Sequence, residues 1–111
     1  MGLSSSKQGA KLLSEATKLE IDAAIKSEKV FIVSKTFCPY CRSAIANIKK
    51  YSSPKIIQIE SNPEMTAIQN YMSQITGARS VPRVFINGNF IGGGDEIAKL
   101  ERSGKLSEML R

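Results

Sequence analysis

Cys38 and Cys41 are the only cysteines among 111 residues, and they stand three positions apart in SKTFCPYCRSA, residues 34–44. A pair so spaced can be half of a metal site, a structural staple or a redox couple. A structural zinc ion takes four ligands, usually from two Cys or His pairs. With one pair and no histidine, this chain cannot complete such a site by itself, so no metal is expected. A disulfide across two intervening residues closes a very short loop and removes little unfolded-state entropy. Redox chemistry is the reading that uses the spacing: C-x-x-C where a strand runs into a helix within a βαβ pattern. The missing histidines also exclude every His-based catalytic pair.

Local physics separates the two sulfurs. Pro39 suits a first helical position, which puts Cys38 at the N-cap. There its sulfur faces free backbone N–H groups and the positive end of the helix dipole, an arrangement that favours thiolate. Lys35 lies three residues upstream and Arg42 one turn downstream, both able to add positive potential. Cys41 shares a helical stripe with Ala44, Ile45, Ile48 and Tyr51 and is expected to be the more buried sulfur. Cys38 is therefore the expected nucleophile and Cys41 the resolving thiol.

The elements that must hold this turn can be read from hydrophobic periodicity. Residues 1–8 are small and polar and read as a flexible tail; 9–111 form the domain. Leu12, Leu13, Ala16, Leu19 and Ala24 predict a helix over Gly9–Ser27. KVFIVS (29–34) and KIIQIE (55–60) read as strands, with the cysteine helix between them ending at Ser52-Ser53-Pro54. The next helix has Asn62 as its expected cap, Pro63 in the first turn, an inner stripe of Met65, Ile68, Met72 and Ile75, and Gly77 at its end. PRVFING and NFIGG predict a hairpin about Asn87-Gly88. A helix then starts at Asp95, and Gly104 separates it from a short last one. The order α-β-α-β-α-β-β-α-α predicts a parallel right-handed βαβ unit followed by antiparallel strands, a three-layer α/β domain with a small mixed sheet.

Bulk composition is that of an ordinary soluble domain, with 41% hydrophobic and 23% charged residues. Neither a membrane span nor a secretory signal is legible, so a reducing, cytoplasmic setting is expected. The net charge of +6 raises nucleic-acid binding, but the 16 Lys and Arg are dispersed and Trp is absent, so a solvated basic surface is the better reading.

KTFCPYC, then IQNYMSQITGARSVPRVFING, then NFIGGGDEI, in this order and spacing, resemble a dithiol glutaredoxin over nearly the whole chain from about Leu12. The resemblance implies a thioredoxin-like three-layer sandwich, a four-stranded mixed sheet flanked by helices. It also implies glutathione-dependent reduction of glutathione mixed disulfides and protein disulfides. Ser80-Val81-Pro82 is similar to the family's cis-proline segment, whose Val81 backbone would pair with glutathione as an added strand. Gly92 and Gly93 would admit a close backbone approach. The helix start at Asp95 and Glu96 would hold the γ-glutamyl carboxylate, and one of their side chains its ammonium. Lys35 and Gln69 match positions that hold the glycine carboxylate, and Tyr40 matches an aromatic that packs on the ligand. Arg79 and Arg83 flank the proline as contributors of positive field. Gly94 stands where many relatives carry a third cysteine, and Glu96 where aspartate is frequent.

The implied partners are glutathione, glutathionylated proteins and other disulfide substrates, with glutathione reductase acting indirectly and a monomeric chain expected. Two alternatives use the same cysteine pair. A dimer sharing an iron–sulfur cluster through Cys38 and glutathione is disfavoured by Pro39, and a thioredoxin by the absence of Trp and of W-C-G-P-C. MGLSSS also fits the pattern for N-myristoylation of Gly2, the one route by which membrane association is expected.

Overall fold

The computed structural model describes residues 12–111, so the expected tail and Gly2 lie outside the described residues. VFIVS, the most apolar run, forms β1 (Val30–Ser34) and is buried at every position. It occupies the interior of a four-stranded sheet ordered β2-β1-β3-β4. β2 (Lys55–Gln58) runs parallel to it, with Ile32 opposite Ile56. β3 (Arg83–Ile86) is antiparallel, with Ile32 opposite Val84. β4 (Asn89–Gly92) completes the hairpin. Asn87 at φ 50° and Gly88 at φ 84° make the turn, the left-handed pair that matches strand twist.

Side-chain alternation sorts the core into two halves. Val30, Ile32, Val84 and Ile86 face α2 (Pro39–Lys49), α4 (Gly94–Arg102) and α5 (Lys105–Leu110), meeting Ala44, Ile48, Ile97, Leu106 and Leu110. Phe31, Val33 and Phe85 face α1 (Glu15–Ser27) and α3 (Met65–Thr76), meeting Ile21, Ile68 and Met72. The expected three-layer mixed-sheet architecture is what forms.

Details of three helices differ from the sequence reading. The first helix starts at Glu15, not Gly9, because Ser14 caps it by accepting from the Thr17 N–H at 3.2 Å. Its buried face then centres on Ile21, and Leu12 and Leu19 of the apolar stripe read from the sequence are 68% and 61% exposed. Asn62 does not cap α3 directly: its Oδ1 accepts from Glu64 N–H at 2.8 Å, and the helix starts one residue later. On α3 itself Ala67 and Gln69 are buried whereas Ile75 is exposed. Tyr51 lies beyond the end of α2, its hydroxyl donating to Glu101 at 2.8 Å. The helix starts shift because a local cap sets each boundary, whereas Tyr51 is placed by a partner distant in the chain.

Candidate active site

β1 ends at Ser34, and the chain turns through Lys35–Phe37 into α2 with Cys38 as N-cap. Pro39 follows it at the start of the helix. Cys38 Sγ accepts from the Cys41 N–H at 3.3 Å, and the Cys38 carbonyl accepts from Arg42 N–H at 3.0 Å. A thiol here replaces the usual hydroxyl or carboxylate cap, so the free N–H groups of the helix start act directly on sulfur. Both thiols are free; Cys38 is half-buried and Cys41 fully buried.

These surroundings drive the two acidities apart. Burial pushes the Cys38 thiol up, but the Cys41 S–H, the Cys41 and Tyr40 backbone N–H groups and the Lys35 charge together outweigh it. The net shift is downward. For Cys41, burial and its hydrogen bond to Cys38 raise the pKa, and the Lys35 N–H and Ser34 hydroxyl only partly offset them. Arg42 does not join Lys35 in this role: it is exposed, and its Nε donates to the Thr36 carbonyl at 3.2 Å.

The Val81–Pro82 peptide is cis, and the Val81 carbonyl lies 3.9 Å from Cys38 Sγ. Beside this pair opens a cavity of about 300 Å³ lined by Tyr40, Ser80, Val81, Pro82, Arg83 and residues 93–96. Six residues singled out in the sequence, Tyr40, Val81, Pro82, Gly93, Asp95 and Glu96, thus share one wall system. Glu96 also works within the fold, its Oε1 accepting from the Gly93 N–H at 2.7 Å. Lys35 and Gln69 lie outside this cavity lining. Gln69 is buried, with an amide N–H given to the Arg79 carbonyl at 2.8 Å. A larger groove, about 380 Å³ between α1 and β2, contains none of these residues.

The family model described as "Glutaredoxin" matches residues 30–91. The chain belongs to the glutaredoxin family. It is 34% identical to Glutaredoxin-1 of Saccharomyces cerevisiae over 104 residues, covering 89% of this chain and 94% of the relative. Among solved structures, oxidized glutaredoxin 2 from Chlamydomonas reinhardtii superposes with a TM-score of 0.82 at 40% identity, covering 88% of this chain and 94% of that one. A buckwheat glutaredoxin–glutathione complex superposes with a TM-score of 0.78 at 32% identity, covering 88% and 94%. This glutaredoxin is accordingly a glutathione-dependent thiol–disulfide oxidoreductase with a thioredoxin-like fold.

The residue that sequence reasoning undervalued is Arg83. It is only 8% exposed, although it was read as a contributor of field beside the proline. A signal was available: strand alternation puts Arg83 in phase with Phe85, on the inward side of a fully buried strand.

Proposed function

We propose that this chain reduces glutathione mixed disulfides through the thiolate of Cys38. Cys38 Sγ attacks the glutathionyl sulfur; the S–S bond breaks, and the substrate leaves as a thiolate that takes up a proton. A second glutathione thiolate then attacks the Cys38–glutathione disulfide, releasing glutathione disulfide and restoring the Cys38 thiolate. For protein disulfides, Cys38 attacks the disulfide and one substrate sulfur leaves as thiolate. Cys41 then loses its proton and attacks Cys38 Sγ, forming the Cys38–Cys41 bond and expelling the second substrate thiolate. Two glutathione thiols later reduce that bond, leaving as glutathione disulfide. The observation that carries this reading is the asymmetry of the pair, with an N-cap sulfur of lowered pKa in front of a buried sulfur of raised pKa. The attacking group must be a thiolate near neutral pH, while a buried resolving thiol of raised pKa stays protonated until a mixed disulfide forms at its neighbour.

In this proposal glutathione lies along the Val81 backbone, its cysteine sulfur toward Cys38. Its γ-glutamyl end enters the cavity at Gly93, Asp95 and Glu96 against Tyr40, and its glycine carboxylate faces Lys35 and Gln69. The likeness to a relative solved with glutathione supports this placement. The protein acts in a reducing cytoplasm as a monomer, on glutathionylated proteins and small disulfides, at roughly −200 to −230 mV. Acylation of Gly2 would add weak, reversible membrane association.

The test is turnover of a small glutathione mixed disulfide coupled to glutathione reductase. Cys38→Ser is expected to lose all turnover, and Cys41→Ser to keep it while losing reduction of protein disulfides. Turnover surviving in Cys38→Ser would overturn the assignment.

A further inference from the structure

Arg83 is a buried cation that forms no ion pair among the described residues. Its guanidinium meets only neutral oxygens: Nε donates to the Pro82 carbonyl at 3.3 Å, one terminal nitrogen to Thr76 Oγ1 at 3.2 Å, and the other to Ser80 Oγ at 3.4 Å. Its central carbon sits 5.0 Å from the Phe90 ring centroid. The ion pairs among the described residues are Lys18–Asp22 and Lys50–Glu101, and neither includes Arg83. The nearest anion in electrostatic effect is Glu96, whose Oε1 already holds the Gly93 N–H. Burial lowers the Arg83 pKa and the Glu96 charge partly opposes it, yet a guanidinium stays protonated. The guanidinium is thus hydrogen-bonded and set on an aromatic face, but its charge has no anion within ion-pair distance among the described residues.

What lies in front of it indicates the missing partner. Arg83 lines the same cavity as Ser80, Gly93 and Glu96. A Cβ on Gly93 would fall 2.9 Å from the outer guanidinium nitrogen, so only the absence of a side chain at Gly93 makes room for it. The N-terminus of the nine-residue helix α4 opens on this wall and adds positive potential. Asp95 and Glu96 supply negative charge at the rim. Positive wall and negative rim together match a zwitterionic amino-acid group, with its carboxylate inward and its ammonium outward.

We infer that Arg83 is a specificity-determining residue: the buried counter-charge for the α-carboxylate at the amino-acid end of the glutathionyl substrate. This rests on the glutathione reading above. In that reading the helix N–H groups give the carboxylate its hydrogen bonds, while Arg83 makes its presence obligatory.

The experiment compares two mixed disulfides of 2-mercaptoethanol, one with glutathione and one with the tripeptide whose γ-glutamyl unit is replaced by 4-aminobutyryl, which lacks only the α-carboxylate. The natural protein is expected to prefer the glutathione substrate by about 10- to 100-fold in kcat/KM, as loss of a charged hydrogen-bonded partner predicts. Arg83→Met should lower kcat/KM for the glutathione substrate by a similar factor, mainly through KM, and leave the analogue unchanged. Arg83→Lys should retain an intermediate preference. Equal losses on both substrates in Arg83→Met would reduce Arg83 to a packing role and overturn the inference. Should Arg83→Met fail to fold, Arg83→Gln decides, because an undiminished preference without the positive charge overturns it equally. No preference in the natural protein also overturns it. If the natural protein turns over neither substrate, the glutathione reading fails instead, and the two failures are distinguishable.

Discussion

Two cysteines of identical chemistry are given opposite tasks by a separation of three residues. Cys38 receives backbone N–H groups at a helix start, and Cys41 is one turn further in, on the face that meets the sheet. The acidity difference follows, with its sign set by burial and by the hydrogen bond between the two groups. Alkylation by iodoacetamide across pH should therefore show one thiol titrating below the ordinary cysteine range and one above it. The first should map to Cys38 by mass spectrometry. Cys41→Ala removes the S–H donor, the largest stabilising influence on the Cys38 thiolate, so the lower midpoint should move upward. An unmoved midpoint would mean that helix N–H groups alone set the value. Most of this was legible in the sequence, because capping and helical phase are local. The burial of Arg83 and Gln69 was harder to read, since polar residues are normally placed outside unless the fold supplies partners.

At the level of elements, the ends of helices decide how the site is presented. Gly92 has φ 148°, and a Cβ there would lie 2.5 Å from Glu96 Cβ. Gly92→Ala is thus expected to cost about 1–3 kcal/mol in urea unfolding and to displace the Glu96 cap. A stability change within error would show that the α4 start adapts freely. α1 is fastened differently. Glu64 accepts from Ser14 N–H at 2.7 Å, Ser14 Oγ at 3.0 Å and the Thr17 hydroxyl, joining the starts of α1 and α3. The Thr17 hydroxyl first, then the Ser14 N–H, hold the Glu64 carboxyl below the usual range. A depressed carboxyl pKa stabilises the fold above its unfolded value, and that contribution is lost as pH falls through the folded value. Hydrogen exchange should accordingly show α1 amides losing protection in that acid window before the sheet does. Glu64→Gln should abolish the pH step; a step that persists would assign it to another group. This clasp joins residues about fifty positions apart, and no periodicity within either helix announces it.

At the scale of the molecule, the sheet is a double-sided support, and both sides bear on the site. α2 and α4, which carry Cys38 and the cavity wall, pack on one face with α5 behind them. α3 and α1 cover the other face, with the ends of Gln69 and Arg83 turned toward the loop before β3. Leu106, fully buried in the short last helix, anchors the first group. Leu106→Ala should cost about 2–5 kcal/mol in denaturant unfolding. A loss below 1 kcal/mol would mean that α5 is dispensable to the layer carrying the site. The sequence by itself determined the strand and helix order, the redox use of the cysteine pair and which sulfur leads. All of these rest on interactions within one turn or one strand. Tertiary structure decided how the starts of α1 and α3 are clasped together, that the Arg42 side chain is tied to the Thr36 carbonyl, and that Arg83 is a buried cation beside the cavity. Those outcomes depend on partners distant in the chain, and a buried charge is settled by the sum of its surroundings, which no local pattern contains.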